Sequence, residues 1–66
     1  MIELSRLNGK EFVVNCEMIK LIEATPDTVI TLATGEKMMV KETVDEVIRR
    51  TVEFRKRLYQ EAIQKG

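Results

Sequence analysis

The sequence has no histidine and no tryptophan, and only one cysteine among its 66 residues. Without histidine, a His-based catalytic triad and a His-containing zinc site are both excluded. The single cysteine, Cys16, cannot form a disulfide within the chain, which fits a reducing compartment. Nothing in this composition points to a metal, a cofactor or an activated nucleophile, so we expect a protein that is not an enzyme.

The sequence also lacks net charge, because eleven Lys and Arg residues balance eleven Asp and Glu residues. The net charge therefore gives no reason to expect nucleic acid or anionic lipid as a partner. The two parts of the chain differ, however: residues 1–42 sum to −2 and residues 43–66 to +2. Much of the positive excess is the run Arg55-Lys56-Arg57, a cluster more typical of a solvated helix face than of a docking patch.

Long apolar runs are absent as well. No segment approaches the roughly 20 apolar residues of a membrane-spanning helix, and the first residues have no signal-peptide pattern. We expect a cytoplasmic chain that reaches a membrane only if a partner recruits it. With 66 residues, we expect one domain, residues 1–66. This length is near the lower limit for domains that fold without disulfides or bound metals, so self-association would help its stability.

The longest regular pattern predicts a helix over residues 43–64. Thr43 and Glu46 fit a capping box, in which the Thr43 hydroxyl accepts from the Glu46 N–H and the Glu46 carboxylate accepts from the Thr43 N–H. A stripe of mostly apolar side chains recurs at helical spacing, with two more at its edges: Val44, Val47, Ile48, Thr51, Leu58, Tyr59 and Ala62, with Val52 and Phe54. Either the preceding residues or a partner must cover this stripe.

Residues 1–42 predict five short antiparallel strands, at about residues 2–6, 11–15, 19–25, 28–33 and 37–41, with a single helical turn at 15–18. The predicted fold is therefore α+β: a sheet meander over 1–42, built as a bent sheet or a small open barrel, followed by one long C-terminal helix. In the first hairpin, a three-residue loop with Gly9 in the left-handed region would pair Leu4 with Phe12 and Ile2 with Val14.

Strands three and four carry apolar residues on both faces. Strict alternation would place Leu21, Ile30 and Leu32 on one face, and Ile22, Ala24 and Val29 on the other. A sheet buried on one face only does not have this pattern. A strongly bent sheet, a small barrel or a second chain would each explain it.

Arg55 stands out, because at 100° per residue it falls within about 20° of the centre of the apolar stripe. Its stem could cover apolar surface while the guanidinium reaches water. Alternatively, this part of the stripe belongs to an interface, where Arg55 pairs with a carboxylate of another chain. The candidate interaction surface consists of residues on the later helix turns: Phe54, Arg55, Leu58, Tyr59 and Ala62.

Several segments together resemble the small flagellar FlbD family: residues 1–12, 22–32, 35–37 and 40–42, with the helix start at 44–48. Leu7-Asn8-Gly9 and Thr25-Pro26-Asp27-Thr28 are the most specific blocks. Two positions depart from the family pattern: Cys16 stands where proline or a polar residue is more common, and Thr34 stands where the family commonly has Asn before Gly35.

The resemblance implies a non-enzymatic cytoplasmic protein that supports bacterial motility, especially swarming, by helping the stator units of the flagellar motor deliver torque. Its implied partners are flagellar motor or stator proteins, with recruitment to the flagellar base at the inner membrane face, and it brings no catalytic motif. A second resemblance, over about a dozen residues at the start, is to the carbon storage regulators, which are RNA-binding dimers. The zero net charge weighs against that alternative, because phosphate binding favours an excess of Lys and Arg.

Overall fold

A computed structural model describes residues 1–24 and 26–64 of the chain, with nothing said of the side chain of residue 64. Five strands precede one helix: β1 (Ile2–Ser5), β2 (Glu11–Val14), β3 (Ile19–Ala24), β4 (Thr28–Leu32), β5 (Lys37–Val40) and α1 (Val44–Gln64). A 3₁₀ turn at Cys16–Met18 connects β2 to β3. This confirms the predicted α+β class and the strand order; the expected extension of the third strand to residue 25 lies outside the described residues.

The strands form two open antiparallel sheets, the hairpin β1-β2 and the meander β3-β4-β5. The two sheets meet at one corner, where Arg6 makes an isolated antiparallel bridge to Val40 and the Lys41 N–H donates to the Ser5 carbonyl at 2.8 Å. They do not close into a barrel.

The register of the first hairpin is as predicted, with Leu4 opposite Phe12 and Ile2 opposite Val14. Gly9 makes this loop possible because its φ of 90° lies in the region that only glycine adopts readily. The β4-β5 loop has the same geometry: Gly35 has φ 94°, and its N–H donates to the Leu32 carbonyl as the Gly9 N–H does to the Arg6 carbonyl, both at 2.8 Å. The same turn geometry therefore sets the register of the β1-β2 hairpin and of the β4-β5 hairpin.

The predicted grouping of faces in strands three and four is wrong, because Ala24 pairs with Thr28 and this register places Ile22, not Leu21, opposite the fully buried Ile30. A β-bulge puts one extra residue into a strand and resets the in–out alternation after it. The shift between Ile19 and Leu21 therefore brings Ile19 to the same face as Ile22, while Leu21 lies opposite Thr31 and is 48% exposed.

A single core lies between the hairpin, the meander and the first turns of α1. Its buried members come from every element except β3: Ile2, Leu4, Val14, Cys16, Ile30, Val40 and Val47. Half-buried side chains pack around them, among them Phe12 and Phe54. Cys16, which the sequence left without a disulfide partner, is buried in this core.

At the start of α1, one of the two hydrogen bonds of the predicted capping box is formed. The Glu46 N–H donates to the Thr43 hydroxyl at 3.1 Å. The reciprocal half of the capping box is replaced, since the Glu46 carboxylate accepts from the guanidinium groups of Arg49 and Arg50 instead. These two cations lie one turn further along the helix, and charge-assisted bonds of this kind are stronger than a bond to a neutral N–H.

A polar clamp ties the first turns of α1 to β1. One Glu42 carboxylate oxygen accepts from the Ser5 N–H at 2.9 Å, and the other lies 3.4 Å from the Arg50 guanidinium. Arg50 also donates to the Glu3 carbonyl at 2.7 Å and to the Glu46 carboxylate at 2.7 Å. Burial favours a higher pKa for Glu42, but the backbone bonds from Ser5 and Glu42 together with the Arg50 charge bring its pKa below the usual value.

Candidate interaction surface

Helix α1 divides into a proximal half that packs on the sheets, residues 44–54, and a distal half that extends beyond them, residues 55–64. Val47 is fully buried and Thr51 and Phe54 are half-buried, whereas every residue from 55 to 63 is exposed. A helix of 21 residues is roughly 31 Å long, and the chain measures 44 × 23 × 18 Å along its principal axes. The distal half accounts for the elongated shape.

The five predicted surface residues do not share one face of the helix. Phe54 is half-buried and packs against the core, and Leu58, one turn on, continues the same side past the edge of the sheet. We call the side formed by Val47, Thr51, Phe54 and Leu58 the sheet-side row. Arg55, Tyr59 and Ala62 follow one another at i, i+4 and i+7 on the adjoining side, and all three are exposed.

Ile48 and Val52 extend this second side toward the start of the helix. Both lie on or beside the predicted stripe, and the structure leaves them 47% and 44% exposed. We call Ile48, Val52, Arg55, Tyr59 and Ala62 the outer row. The two rows explain the width of the apolar stripe, because a single contact with the sheets covers only one side of a helix.

The outer row borders an open groove between α1 and β3, with a volume of about 230 Å³. Ile19, Ile22 and Cys16 line one side of the groove, and Ile48, Thr51, Val52 and Arg55 line the other. The lining is mostly apolar and contains one charged group, the Arg55 guanidinium. Sequence reasoning missed this groove, because the groove depends on the β3-β4 register that turns Ile22 inward and on the shift that brings Ile19 to the same face.

Arg55 has a carboxylate partner within its own chain. Its Nε lies 3.2 Å from one Glu17 oxygen and its terminal nitrogen 3.4 Å from the other. Both side chains remain more than half exposed, and such exposed pairs contribute less than about 1 kcal/mol to folding. The pair nevertheless gives the Arg55 side chain a direction, toward the 3₁₀ turn and along the rim of the groove.

The remaining cations of the helix fall into two groups. Arg49 pairs with Glu46 and Glu53 on the exposed side of the proximal half. Bonds from Arg49 and Arg50 lower the pKa of the Glu46 carboxyl to about 2. Within the described part of the chain, Lys56 and Arg57 make no ion pair, so the distal half carries uncompensated positive charge beside exposed apolar side chains.

Elsewhere, we found no reactive set of side chains on the surface of residues 1–24 and 26–63. Glu3 and Glu11 lie side by side on the hairpin, and the hydrogen bond and charge of Glu11 raise the pKa of the Glu3 carboxyl. Among the residues described, no group of three or more His, Cys, Asp or Glu side chains could hold a metal ion. A shallow depression on the outer face of the meander is lined by Glu23, Val29, Lys37, Met38 and Met39.

Comparison with curated proteins and with solved structures found no match. No helix over the described residues is both long enough and apolar enough to span a membrane. A family model does match, and it covers residues 1–59, which include every strand and α1 as far as Tyr59. Because the match extends over most of the 66 residues, the chain belongs to the FlbD family of flagellar and swarming motility proteins.

Proposed function

We propose that this protein is a non-enzymatic accessory component of flagellar motility that supports swarming and motor torque through protein–protein contacts. The contacts are made by the later turns of α1, through Phe54, Arg55, Leu58, Tyr59 and Ala62. The partners are flagellar motor or stator proteins, with self-association as a second use of the same helix. The protein acts in the cytoplasm and is recruited to the flagellar base at the inner membrane face.

The observation that carries this proposal is the exposed distal half of α1. Leu58, Tyr59 and Ile63 are each about half exposed or more, within three turns of one helix. Surfaces that combine aromatic or apolar anchors with arginine are enriched in the centres of protein interfaces. The two unpaired cations, Lys56 and Arg57, favour a partner surface with an excess of carboxylates.

The strongest test changes the surface without touching the core. The double substitution Arg55→Glu with Leu58→Asp reverses one charge and places another where an apolar anchor lies. We expect swarming to be lost while the protein remains folded, as judged by circular dichroism and by its abundance in the cell. Normal swarming with this variant would contradict the proposal.

A matched control separates the helix from the general surface. Leu21 on the outer face of β3 is 48% exposed and Leu58 is 49% exposed, so Leu21→Asp introduces the same charge at the same exposure. We expect Leu21→Asp to swarm normally. Crosslinking in motile cells from a photoreactive residue at position 55, followed by identification of the captured protein, then tests whether the partner is a motor or stator protein.

A further inference from the structure

The outer row has the spacing of a coiled-coil seam. Its five positions are separated by four, three, four and three residues, an average of 3.5, which keeps a seam facing one partner helix. Tyr59 is 68% exposed, more than any other large apolar or aromatic side chain in the part of the chain described. The row therefore has the form of a helix–helix contact, and the described part of the chain provides no second α-helix to make it.

The exposed surface area can be compared with that of a compact monomer of the same mass. A compact monomer of 7.6 kDa exposes about 4,300 Å² by the scaling of folded proteins with mass. The chain exposes 4901 Å², roughly 600 Å² more than that relation gives. A standard protein interface buries about 800 Å² on each partner, so the excess approaches what one interface would cover.

Disulfides and metal sites, which stabilise many small domains, do not account for this excess of exposed surface. The chain has one cysteine, and the described residues contain no candidate metal cluster. Over the described residues, the buried apolar core is seven side chains, a small core for the size of the chain. Domains of this size that lack disulfides and metals commonly gain stability by oligomerisation.

We propose that two copies of this chain associate about a two-fold axis through antiparallel α1 helices, with Tyr59 of each copy seated against Ile48 of the other. In antiparallel coiled coils the two kinds of seam position face each other across the axis. This pairs Ile48 with the Tyr59 position and Val52 with the Arg55 position of the second copy. The dimer uses the outer row and leaves Leu58, on the sheet-side row, for another partner. The proposal of a dimer rests on the proposed function only in assigning α1 to protein contacts.

Two features favour the antiparallel direction over the parallel one. In a parallel pair the exposed distal halves would meet only each other and the grooves beside Ile48 and Val52 would stay open. In an antiparallel pair each distal half covers the groove of the other copy, so Tyr59 reaches a cavity lined by Ile19 and Ile22. The two helix dipoles also oppose each other in an antiparallel pair, which is the favourable arrangement.

Arg55 lies near the two-fold axis in this arrangement, where two bare guanidinium groups would repel. Its bidentate pair with Glu17 neutralises each guanidinium and draws it aside toward the 3₁₀ turn. Val52 is then the side chain at the centre of the contact. The intrachain ion pair thus makes the charged position compatible with the apolar seam.

The first test is the mass of the full chain in solution by sedimentation velocity. We expect a dimer, and we expect Val52→Asp to weaken dimerisation by at least about tenfold. Val13→Asp is the matched control, because Val13 is 62% exposed on the hairpin and lies away from α1; it should dimerise like the wild type. A monomeric wild type at concentrations up to about 0.1 mM, or equal weakening by both variants, overturns the proposal.

The second test fixes the direction of the helices. Chains carrying Ile48→Cys are mixed with chains carrying Tyr59→Cys and oxidised, both with Cys16→Ala as well, because Cys16 lines the groove that Tyr59 enters. Disulfides need Cα atoms within about 7 Å, so we expect the mixed crosslink in preference to either homotypic one. Predominantly homotypic crosslinks would show a parallel pair and overturn the arrangement. Swarming of Leu58→Asp is scored separately, so failure of the dimer and failure of the motility role are distinguishable.

Discussion

The proximal and distal halves of α1 have similar amphipathic sequences but very different surroundings. In the proximal half, Val47 is fully buried and Arg50 is held by the clamp to β1. In the distal half, the described contact with the rest of the chain is the exposed pair of Arg55 with Glu17. The apolar pattern thus continues for about three turns after the chain's own core has ended, as expected if the distal half makes the contacts proposed above.

The distal half is helical because the proximal half nucleates it. Helix formation is costly to start and easy to extend, and a segment of about ten residues is marginal in isolation. Most distal residues are good helix formers, such as Arg57, Leu58 and Ala62. The distal half should therefore be the first part of the fold to fray, while the proximal half should persist until the core unfolds.

The largest expected difference between the two regions is the cost of removing a leucine. Leu4 is 0% exposed in the core under the proximal half, so Leu4→Ala should lower the free energy of unfolding by about 2–5 kcal/mol. Leu58→Ala, on the exposed sheet-side row, should change it by less than about 0.5 kcal/mol. Urea unfolding curves give both values.

If Leu4→Ala does not fold, a milder core substitution allows the same comparison to be made. Ile30 is also 0% exposed, and Ile30→Val should cost about 0.5–1.5 kcal/mol. Equal losses for a core variant and Leu58→Ala would mean that the distal half is packed in solution, contrary to the comparison.

The sequence predicted the elements well because their signals are local. Gly9 and Gly35 mark the turns, and each lies in the left-handed region that the loop requires. Thr43 marks the start of α1 and caps it. Such features depend on residues within about four positions of one another, so composition and spacing alone identify them.

Apart from the bonds of Glu46 to Arg49 and Arg50, the features that the sequence did not predict depend on residues that are farther apart along the chain. Glutamate is a residue type that usually lies on the surface, yet the Glu42 carboxylate accepts a hydrogen bond from the Ser5 N–H, 37 positions away. Glu17 pairs with Arg55 across 38 positions. The bulge in β3 that brings Ile19 to the face of Ile22 is set by the pairing with β4. Because the exposed groove depends on this bulge, the candidate site was only partly predictable.

The next effect in size concerns the polar clamp that holds the proximal half. Glu42→Ala leaves the Ser5 N–H without its acceptor and Arg50 without one of its carboxylates. An unsatisfied buried donor costs about 1–3 kcal/mol, so we expect a loss of that order at pH 7. The measurement is again urea unfolding, with Glu36→Ala, an exposed glutamate, as the control that should be near neutral.

The clamp also predicts a pH dependence. The folded pKa of Glu42 lies below its usual value of 4.5, so the unfolded chain binds its proton first as the pH falls. The stabilisation by Glu42 is therefore complete above about pH 4.5 and is lost as the pH falls through the folded pKa. The difference between wild type and Glu42→Ala should be smaller at pH 3 than at pH 7. A difference that stays constant would show that the carboxylate charge is not what holds α1.

The smallest effect is expected from the one described ion pair of the distal half. Glu17→Gln removes the charge that faces Arg55 while keeping a side chain of similar size, and it should lower the free energy of unfolding by less than about 1 kcal/mol. Because both groups are more than half exposed, added salt should reduce even this difference. In the proposed dimer, however, Glu17→Gln leaves two unneutralised Arg55 guanidinium groups near the two-fold axis, so dimerisation should weaken more than folding does. A double substitution with Arg55→Gln removes the repulsion and should restore dimerisation; if Glu17→Gln affects folding and dimerisation equally, the pair acts only within its own chain.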